Sequence, residues 1–220
     1  MRQDLTDISI VLDRSGSMQS VKDDTIGGLN AFLKEQQAQP GDANLTLAQF
    51  DDLYEIVHDA VPIKNVPELT DKTFVPRGMT ALLDAIGKTI VNTGVRLAAM
   101  PEDQRPGRVI FVILTDGEEN HSKEYDLGRI NAMIAEQTDK YSWSFVFLGA
   151  NQDAIKAAMG MGISASHALD FMANSQGVQC AFSSTSRHMS SYRAGPCGPE
   201  GAKGPFYDDK DRQDQAQAKT

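Results

Sequence analysis

Short apolar runs alternate along the chain with segments whose apolar residues recur every three or four positions. The runs 8–12 (ISIVL), 109–114 (VIFVIL) and 143–149 (WSFVFLG) are rich in β-branched and aromatic residues, a pattern typical of strands buried on both faces. Helical spacing of apolar residues follows such runs, as at 26–33 and 127–134. Strands that alternate with helices predict an α/β fold with a doubly wound, mostly parallel sheet of about six strands and helices on both faces.

One pair of strands departs from this parallel pattern. The strand-like runs 44–50 and 54–61 are separated only by residues 51–53, which is the spacing of a hairpin. We therefore expect one antiparallel strand at an edge of the sheet. A run at 166–168 predicts a further edge strand, and a last helix is expected within 170–194.

The polar end of the chain predicts a linker and a tail. Residues 195–205 (GPCGPEGAKGP) are rich in proline and glycine, and the residues that follow are polar, which is typical of a linker before a disordered end. We therefore expect one folded domain over 1–194 and a disordered tail over 195–220. Cys180 and Cys197 are too few for a disulfide framework and fit no zinc spacing, so we expect inert thiols.

The charge and the hydropathy of the sequence indicate which kinds of partner it could bind and where in the cell it is located. The 220 residues carry 30 acidic and 21 basic side chains, a net charge of −9, which disfavours binding to a nucleic-acid backbone. The sequence has no run of eighteen apolar residues to span a bilayer. Its start, MRQDLTDISI, carries acids where a signal peptide has its apolar stretch. We expect a cytoplasmic protein that binds neither nucleic acid nor membrane.

Polar residues with metal-binding chemistry follow two of the buried strands. In a doubly wound sheet, ligands bind outside the carboxyl ends of the strands where the strand order reverses, which selects the loops 13–18 (DRSGSM) and 115–120 (TDGEEN). Thr80 in RGMT is expected on the same face, where it would cap the next helix. The side chains expected to converge are Asp13, Ser15, Ser17, Thr80 and Asp116. Hard oxygen ligands with few carboxylates favour Mg²⁺.

These residues resemble the signature of the von Willebrand factor A domains, through DRSGS at 13–17, Thr80 in GMTALLDAI and Asp116 in LTDGEEN, within a similarity over residues 5–194. The resemblance implies a metal-ion-dependent adhesion site, in which the serines and the threonine bind Mg²⁺ or Mn²⁺ directly and the aspartates bind directly or through water. It also implies that an Asp or Glu of a partner protein completes the coordination, and that the last helix moves in members that switch affinity. The sequence is similar to small, freestanding bacterial and phage members.

Other polar residues near these loops have more than one interpretation. An acidic set forms either solvated turns or a rim that selects a basic partner surface; its members are Asp51, Asp52, Glu118 and Glu119, with Asn120 beside them. Asp84, one turn into its helix, is expected to be a supporting hydrogen-bond acceptor or a solvated residue rather than a metal ligand. The histidines show no ligand spacing and are expected at the surface or satisfied in the core; they are His58, His121, His167 and His188.

The sequence lacks residues that three classes of enzyme require. IGKT at 86–89 resembles the end of a P-loop, but Leu82 stands where a glycine is required. An aspartyl phosphatase of the haloacid dehalogenase type would need a second Asp where Ser15 stands, and a serine hydrolase would need Gly-x-Ser-x-Gly. We therefore expect a metal-dependent protein-binding module rather than an enzyme. A metal-assisted phosphohydrolase and a purely structural ion stay open as alternatives.

Overall fold

The computed structural model describes residues 1–150 and 153–218, and a six-stranded sheet forms its centre. The strands are β1 (Arg2–Asp13), β2 (Asp42–Phe50), β3 (Tyr54–Pro62), β4 (Pro106–Thr115), β5 (Trp143–Ala150) and β6 (Ala168–Phe171). Their order across the sheet is β3-β2-β1-β4-β5-β6. Neighbouring strands are parallel except β2 and β3, which pair antiparallel at one edge. The predicted fold class and the edge hairpin are confirmed.

Helices cover both faces of the sheet. They are α1 (Lys22–Ala38), α2 (Leu82–Ala99), α3 (Leu127–Tyr141), α4 (Ala154–Gly160), α5 (Ser175–Ala194), α6 (Pro199–Lys203) and α7 (Asp209–Gln217). On one face α1 and α5 pack over a core that includes Phe32, and on the other α2, α3 and α4 enclose a core that includes Ile86. Because β1 and β4 lie between these two layers, they are buried without interruption from Leu5 and Val109 to their carboxyl ends.

The order of the strands creates a crevice at the carboxyl ends of β1 and β4. From β1 the chain passes outward through β2 to β3, and it then crosses by α2 to β4 on the other side of β1. Leu12 lies in register with Leu114, so the ends of the two strands, Asp13 and Thr115, are neighbours. The loops after the two strands diverge there and leave room for a ligand.

The end of the chain differs from the sequence prediction. Instead of a disordered tail, residues 195–218 contain α6 and α7 and pack against the domain, with α7 on α5 and β6. Phe206 and Tyr207 are buried in the same core as α1 and α5, and the Tyr207 hydroxyl lies 2.8 Å from Thr185 Oγ1. Residues 219–220 of the expected tail lie outside the described residues.

Polar contacts also hold α7 in place. Asp211 is fully buried, its Oδ2 lies 2.7 Å from His188 Nε2, and Arg187 donates to its other oxygen. Asp208 and Asp211 form a capping box at the start of α7. The segment is therefore ordered because two aromatic side chains enter the core and because its polar residues find partners on α5.

Two further features concern the thiols and the helices. Cys180 and Cys197 are free cysteines. None of the helices within 1–150 and 153–218 is long and apolar enough to cross a bilayer.

Candidate metal centre

Asp13 lies at the floor of the crevice, at the end of β1. It is fully buried. Its Oδ1 accepts a hydrogen bond of 2.6 Å from the Ser15 backbone N–H, and its Oδ2 accepts one of 2.6 Å from the Thr115 hydroxyl. Since Thr115 ends β4, the carboxylate is fixed by both of the strands that border the crevice.

Three hydroxyl groups and a second carboxylate surround the opening above Asp13. Ser15 Oγ and Ser17 Oγ lie 3.1 Å apart, and the Ser17 hydroxyl donates to Asp116 Oδ1 over 2.6 Å. A Cβ atom added at Gly117 would lie 3.2 Å from Thr80 Oγ1 and 3.5 Å from Ser17 Oγ, so the Thr80 hydroxyl faces the same space. The structure thus brings together the whole expected set: Asp13, Ser15, Ser17, Thr80 and Asp116.

Among the described residues, the two carboxylates of this set have no cationic side chain to neutralise their charge. Burial, with a smaller contribution from the charge of Asp116, raises the pKa of Asp13 to about 6, although Thr115 and Ser15 donate hydrogen bonds that act to lower it. Burial also raises the pKa of Asp116, against the hydrogen bond from Ser17. No lysine, arginine or histidine in the described ranges forms an ion pair with either carboxylate.

An all-oxygen cluster with uncompensated negative charge fits a hard divalent cation. Carboxylate and hydroxyl oxygens are ligands suited to Mg²⁺ and Mn²⁺, whereas softer metals favour sulfur and imidazole. The cluster is accessible from outside, because Ser17 is exposed and Asp116 is half-buried. An ion held by these oxygens would therefore face solvent on one side.

Thr80 is held by the loop that follows Asp116, a contact that the sequence did not predict. The Thr80 backbone N–H donates to Asn120 Oδ1 over 2.9 Å, and the Thr80 carbonyl accepts from the backbone N–H groups of Asn120 at 3.1 Å and His121 at 3.2 Å. The loop after β4 therefore supplies Asp116 and also fixes the position of Thr80.

The expected role of Thr80 as a helix cap is wrong. Helix α2 begins at Leu82, and the residue before it, Ala81, makes no side-chain cap. The first turn is capped from the loop after β4, because Glu119 Oε2 accepts from the Leu83 N–H at 2.9 Å and Ser122 Oγ accepts from the Asp84 N–H at 3.0 Å. The Thr80 hydroxyl is thus left to face the crevice.

Asp84 supports the same loop as a hydrogen-bond acceptor, which is one of the two roles that the sequence left open. Its carboxylate accepts hydrogen bonds from the backbone N–H groups of Lys123, Glu124 and Tyr125 at 3.0, 2.9 and 2.9 Å. Burial acts to raise the pKa of Asp84, but these three donors outweigh it and the pKa is lowered. Asp84 therefore anchors the loop after β4 to α2.

Only part of the expected acidic set is exposed. Asp52 and Glu118 are exposed, but Asp51 is fully buried and pairs with Arg14 and Arg77. The Glu119 carboxylate accepts hydrogen bonds from nearby backbone groups. The Arg77 guanidinium that pairs with Asp51 and the Leu83 N–H that donates to Glu119 are both distant in sequence, so a single-sequence pattern carries no signal for these contacts.

Solved structures of other proteins share this fold. No family model and no curated protein matches the sequence. The von Willebrand factor domain of the type V pili tip protein Mfa5 from Porphyromonas gingivalis matches with a TM-score of 0.59 at 10% identity, over 84% of this chain and 95% of that one. The chain has the von Willebrand factor A fold.

Other solved structures with similarity to this von Willebrand factor A fold are longer. The pilus adhesin SpaC from Lactobacillus rhamnosus GG matches with a TM-score of 0.63 at 14% identity, over 84% of this chain and 30% of that one. Proximal thread matrix protein 1 from the mussel byssus, in a structure with a zinc-occupied MIDAS motif, matches with a TM-score of 0.58 at 15% identity. This chain spans 46% of that protein's length.

Proposed function

We propose that this von Willebrand factor A domain is a metal-dependent protein-binding module. Mg²⁺ is held by Asp13, Ser15, Ser17, Thr80 and Asp116, and it captures an Asp or Glu side chain of a partner protein. The observation that supports this most strongly is the cluster itself: hydroxyl and carboxylate oxygens converge at an open crevice, and no cationic side chain within 1–150 and 153–218 pairs with the carboxylates.

The donor set explains why such an ion would bind a further carboxylate. The neutral hydroxyls of Ser15, Ser17 and Thr80 add no charge, so Asp13 and Asp116 alone balance the two positive charges of the ion. A divalent cation with mostly neutral ligands stays a strong Lewis acid and retains affinity for anionic oxygen. Mn²⁺ accepts the same oxygen ligands.

The similar structures are consistent with binding rather than catalysis. They are described as a pilus adhesin, a pilus tip protein and a thread matrix protein, one of them with zinc in its MIDAS motif. The exposure of Ser17 further favours an ion that a partner can reach over one that only stabilises the fold. The expected cytoplasmic location stays a prediction.

Thermal melting with Mg²⁺, Mn²⁺ and EDTA tests the metal site. Free Mg²⁺ at a hundredfold excess over its Kd stabilises a single-site protein by about 2.7 kcal/mol, which corresponds to a rise in Tm of about 5–10 °C for a domain of this size. We expect this rise for the wild type and its loss in Asp13→Ala. The control is Asp139→Ala, which removes an exposed carboxylate and should leave the rise unchanged. If Mg²⁺ does not raise the Tm of the wild type, the proposed metal site is wrong.

A peptide array tests the capture of carboxylates. Each peptide that contains Asp or Glu is paired with the same peptide carrying Asn or Gln. We expect binding that requires both the acidic residue and Mg²⁺ and that EDTA reverses. Binding insensitive to EDTA contradicts the proposal, and turnover of a phosphate ester by the Mg²⁺-loaded protein would support the phosphohydrolase instead.

A further inference from the structure

A buried carboxylate lies beside the metal centre, at the turn between β2 and β3. The side chain of Asp51 is fully buried. Its Oδ1 accepts from the Leu53 backbone N–H at 2.6 Å, and its Oδ2 accepts from Arg14 Nε at 3.1 Å and from Arg77 Nε at 2.8 Å. One carboxylate therefore binds two guanidinium groups that come from two different segments of the chain.

Each of these arginines belongs to a loop that carries proposed metal ligands. Arg14 stands between Asp13 and Ser15, and Arg77 lies in the segment that leads to Thr80. The Asp51 carboxylate thus joins the loop after β1 to the segment before α2. The two loops come from opposite ends of a chain segment of more than sixty residues, and neither could fix its distance from the other through local structure.

Main-chain hydrogen bonds join the same parts of the chain, namely the turn at Asp51, the loop after β1 and the segment before α2. The Asp51 carbonyl accepts from the Ala81 N–H at 3.0 Å, and the Arg14 carbonyl accepts from the Arg77 N–H at 2.8 Å. The Gly16 N–H donates to the Gly78 carbonyl at 3.3 Å. These bonds bring the backbones together, and the two ion pairs of the buried Asp51 carboxylate limit how far the loops can slide, because a shift away from the arginines would leave that buried charge unpaired.

We propose that Asp51 is a positioning residue of the metal centre, which holds the serine loop and Thr80 at the spacing that lets their hydroxyls bind one ion. Asp51 does not touch the ion. Mg²⁺ needs near-octahedral ligands at about 2.0–2.1 Å, so a small change in the spacing of the loops costs affinity. This inference rests on the proposed function.

Asp7 provides a matched control for the loss of a buried charge. Like Asp51 it is buried, and it accepts two bonds of 2.9 Å from Arg96. It lies in β1 six residues before Asp13, which is about 20 Å along a strand. Asp7→Asn therefore breaks a buried ion pair of the same kind far from the metal centre.

The experiment measures the Kd for Mg²⁺ by calorimetry and the spectrum of bound Mn²⁺ by electron paramagnetic resonance. Changes to residues that orient metal ligands lower metal affinity by about 10–100-fold, and we expect a rise in Kd of that order for Asp51→Asn, with an altered Mn²⁺ spectrum. Asp7→Asn should lower the Tm and keep both metal readouts at wild-type values. Arg77→Gln removes a half-exposed partner of Asp51 and should raise the Kd even if Asp51→Asn fails to fold.

The outcomes separate this inference from the proposed function. If the wild type binds Mg²⁺ and both Asp51→Asn and Arg77→Gln bind it with the same Kd, the positioning role of Asp51 is wrong and the proposed function stands. An equal rise in Kd for Asp7→Asn would likewise overturn the positioning role, because general loss of stability would explain it. If the wild type binds no Mg²⁺, the proposed function itself fails.

Discussion

Substitution of Gly117 by alanine would place one methyl group inside the proposed metal centre. The added Cβ would lie 3.2 Å from Thr80 Oγ1 and 3.5 Å from Ser17 Oγ. The shorter distance requires a shift of a few tenths of an ångström, and either hydroxyl could move only by leaving its place among the proposed ligands. Gly117 is not among the glycines with positive φ, so alanine fits its backbone conformation without strain.

The expected effect of Gly117→Ala falls on metal binding rather than on folding. Since Mg²⁺ tolerates little departure from octahedral geometry, we expect its Kd to rise about tenfold, which is about 1.4 kcal/mol. The free energy of unfolding of the metal-free protein should rise by no more than about 0.4–1 kcal/mol, which is the gain that Gly→Ala gives at a compatible position through the unfolded state. Calorimetry with Mg²⁺ and urea unfolding in EDTA measure the two quantities separately.

Gly27→Ala is the matched control for this substitution. A Cβ added at Gly27, on the exposed side of α1, would meet no atom within 4 Å. We expect a gain in stability of about 0.5–1 kcal/mol from helix propensity and an unchanged Kd for Mg²⁺. If Gly117→Ala binds Mg²⁺ as tightly as Gly27→Ala does, the space between Thr80 and Ser17 is not where the ion binds.

Three further substitutions test the last segment, the packing of α1 against α5 and the loop after β4. Phe206→Ala should lower the free energy of unfolding in urea by about 3–5 kcal/mol because Phe206 lies in the core; a tail detached from the domain would give no change. Gly28→Ala should lower the Tm because its Cβ would lie 2.2 Å from Phe182 Cδ2, an overpacking cost of about 1–3 kcal/mol; an unchanged Tm would refute the close contact. Asp84→Asn should lower the free energy of unfolding at pH 7, as measured in urea, and this difference from wild type should shrink below pH 4. The reason is that the lowered pKa of Asp84 stabilises the folded state, and this stabilisation is lost as the pH falls through that pKa. A difference independent of pH would contradict this.

The sequence predicts the core of the fold and the set of converging side chains for a local reason. The run from Val109 to Leu114 is apolar without interruption because β4 is covered on both faces. Once the strands are ordered, the rule for doubly wound sheets places the residues after β1 and β4, Asp13 and Asp116, at one crevice. Patterns along the chain and one topological rule are sufficient for this part.

The features that the sequence did not predict depend on contacts between distant residues. Glu119 caps α2 from a position 36 residues after Leu83, so no local signal marks the cap. Asp51 lies in a polar turn, which is typical of a solvated segment, and its buried carboxylate pairs with Arg14 and Arg77 from distant parts of the chain. The order of the last segment depends on the surface that α5 offers to Phe206, although the segment itself is polar.

Nuclear magnetic relaxation of acetate tests most directly whether an ion in the crevice binds a carboxylate. Mn²⁺ serves as the paramagnetic ion, and the relaxation rate of the acetate methyl protons is measured with wild type and with Asp13→Ala. We expect a strong enhancement with the Mn²⁺-loaded wild type, its removal by excess Mg²⁺, and none beyond that of free Mn²⁺ with Asp13→Ala. Wild type that holds Mn²⁺ without any enhancement of acetate relaxation would contradict carboxylate capture, and wild type that holds no Mn²⁺ would contradict the metal centre.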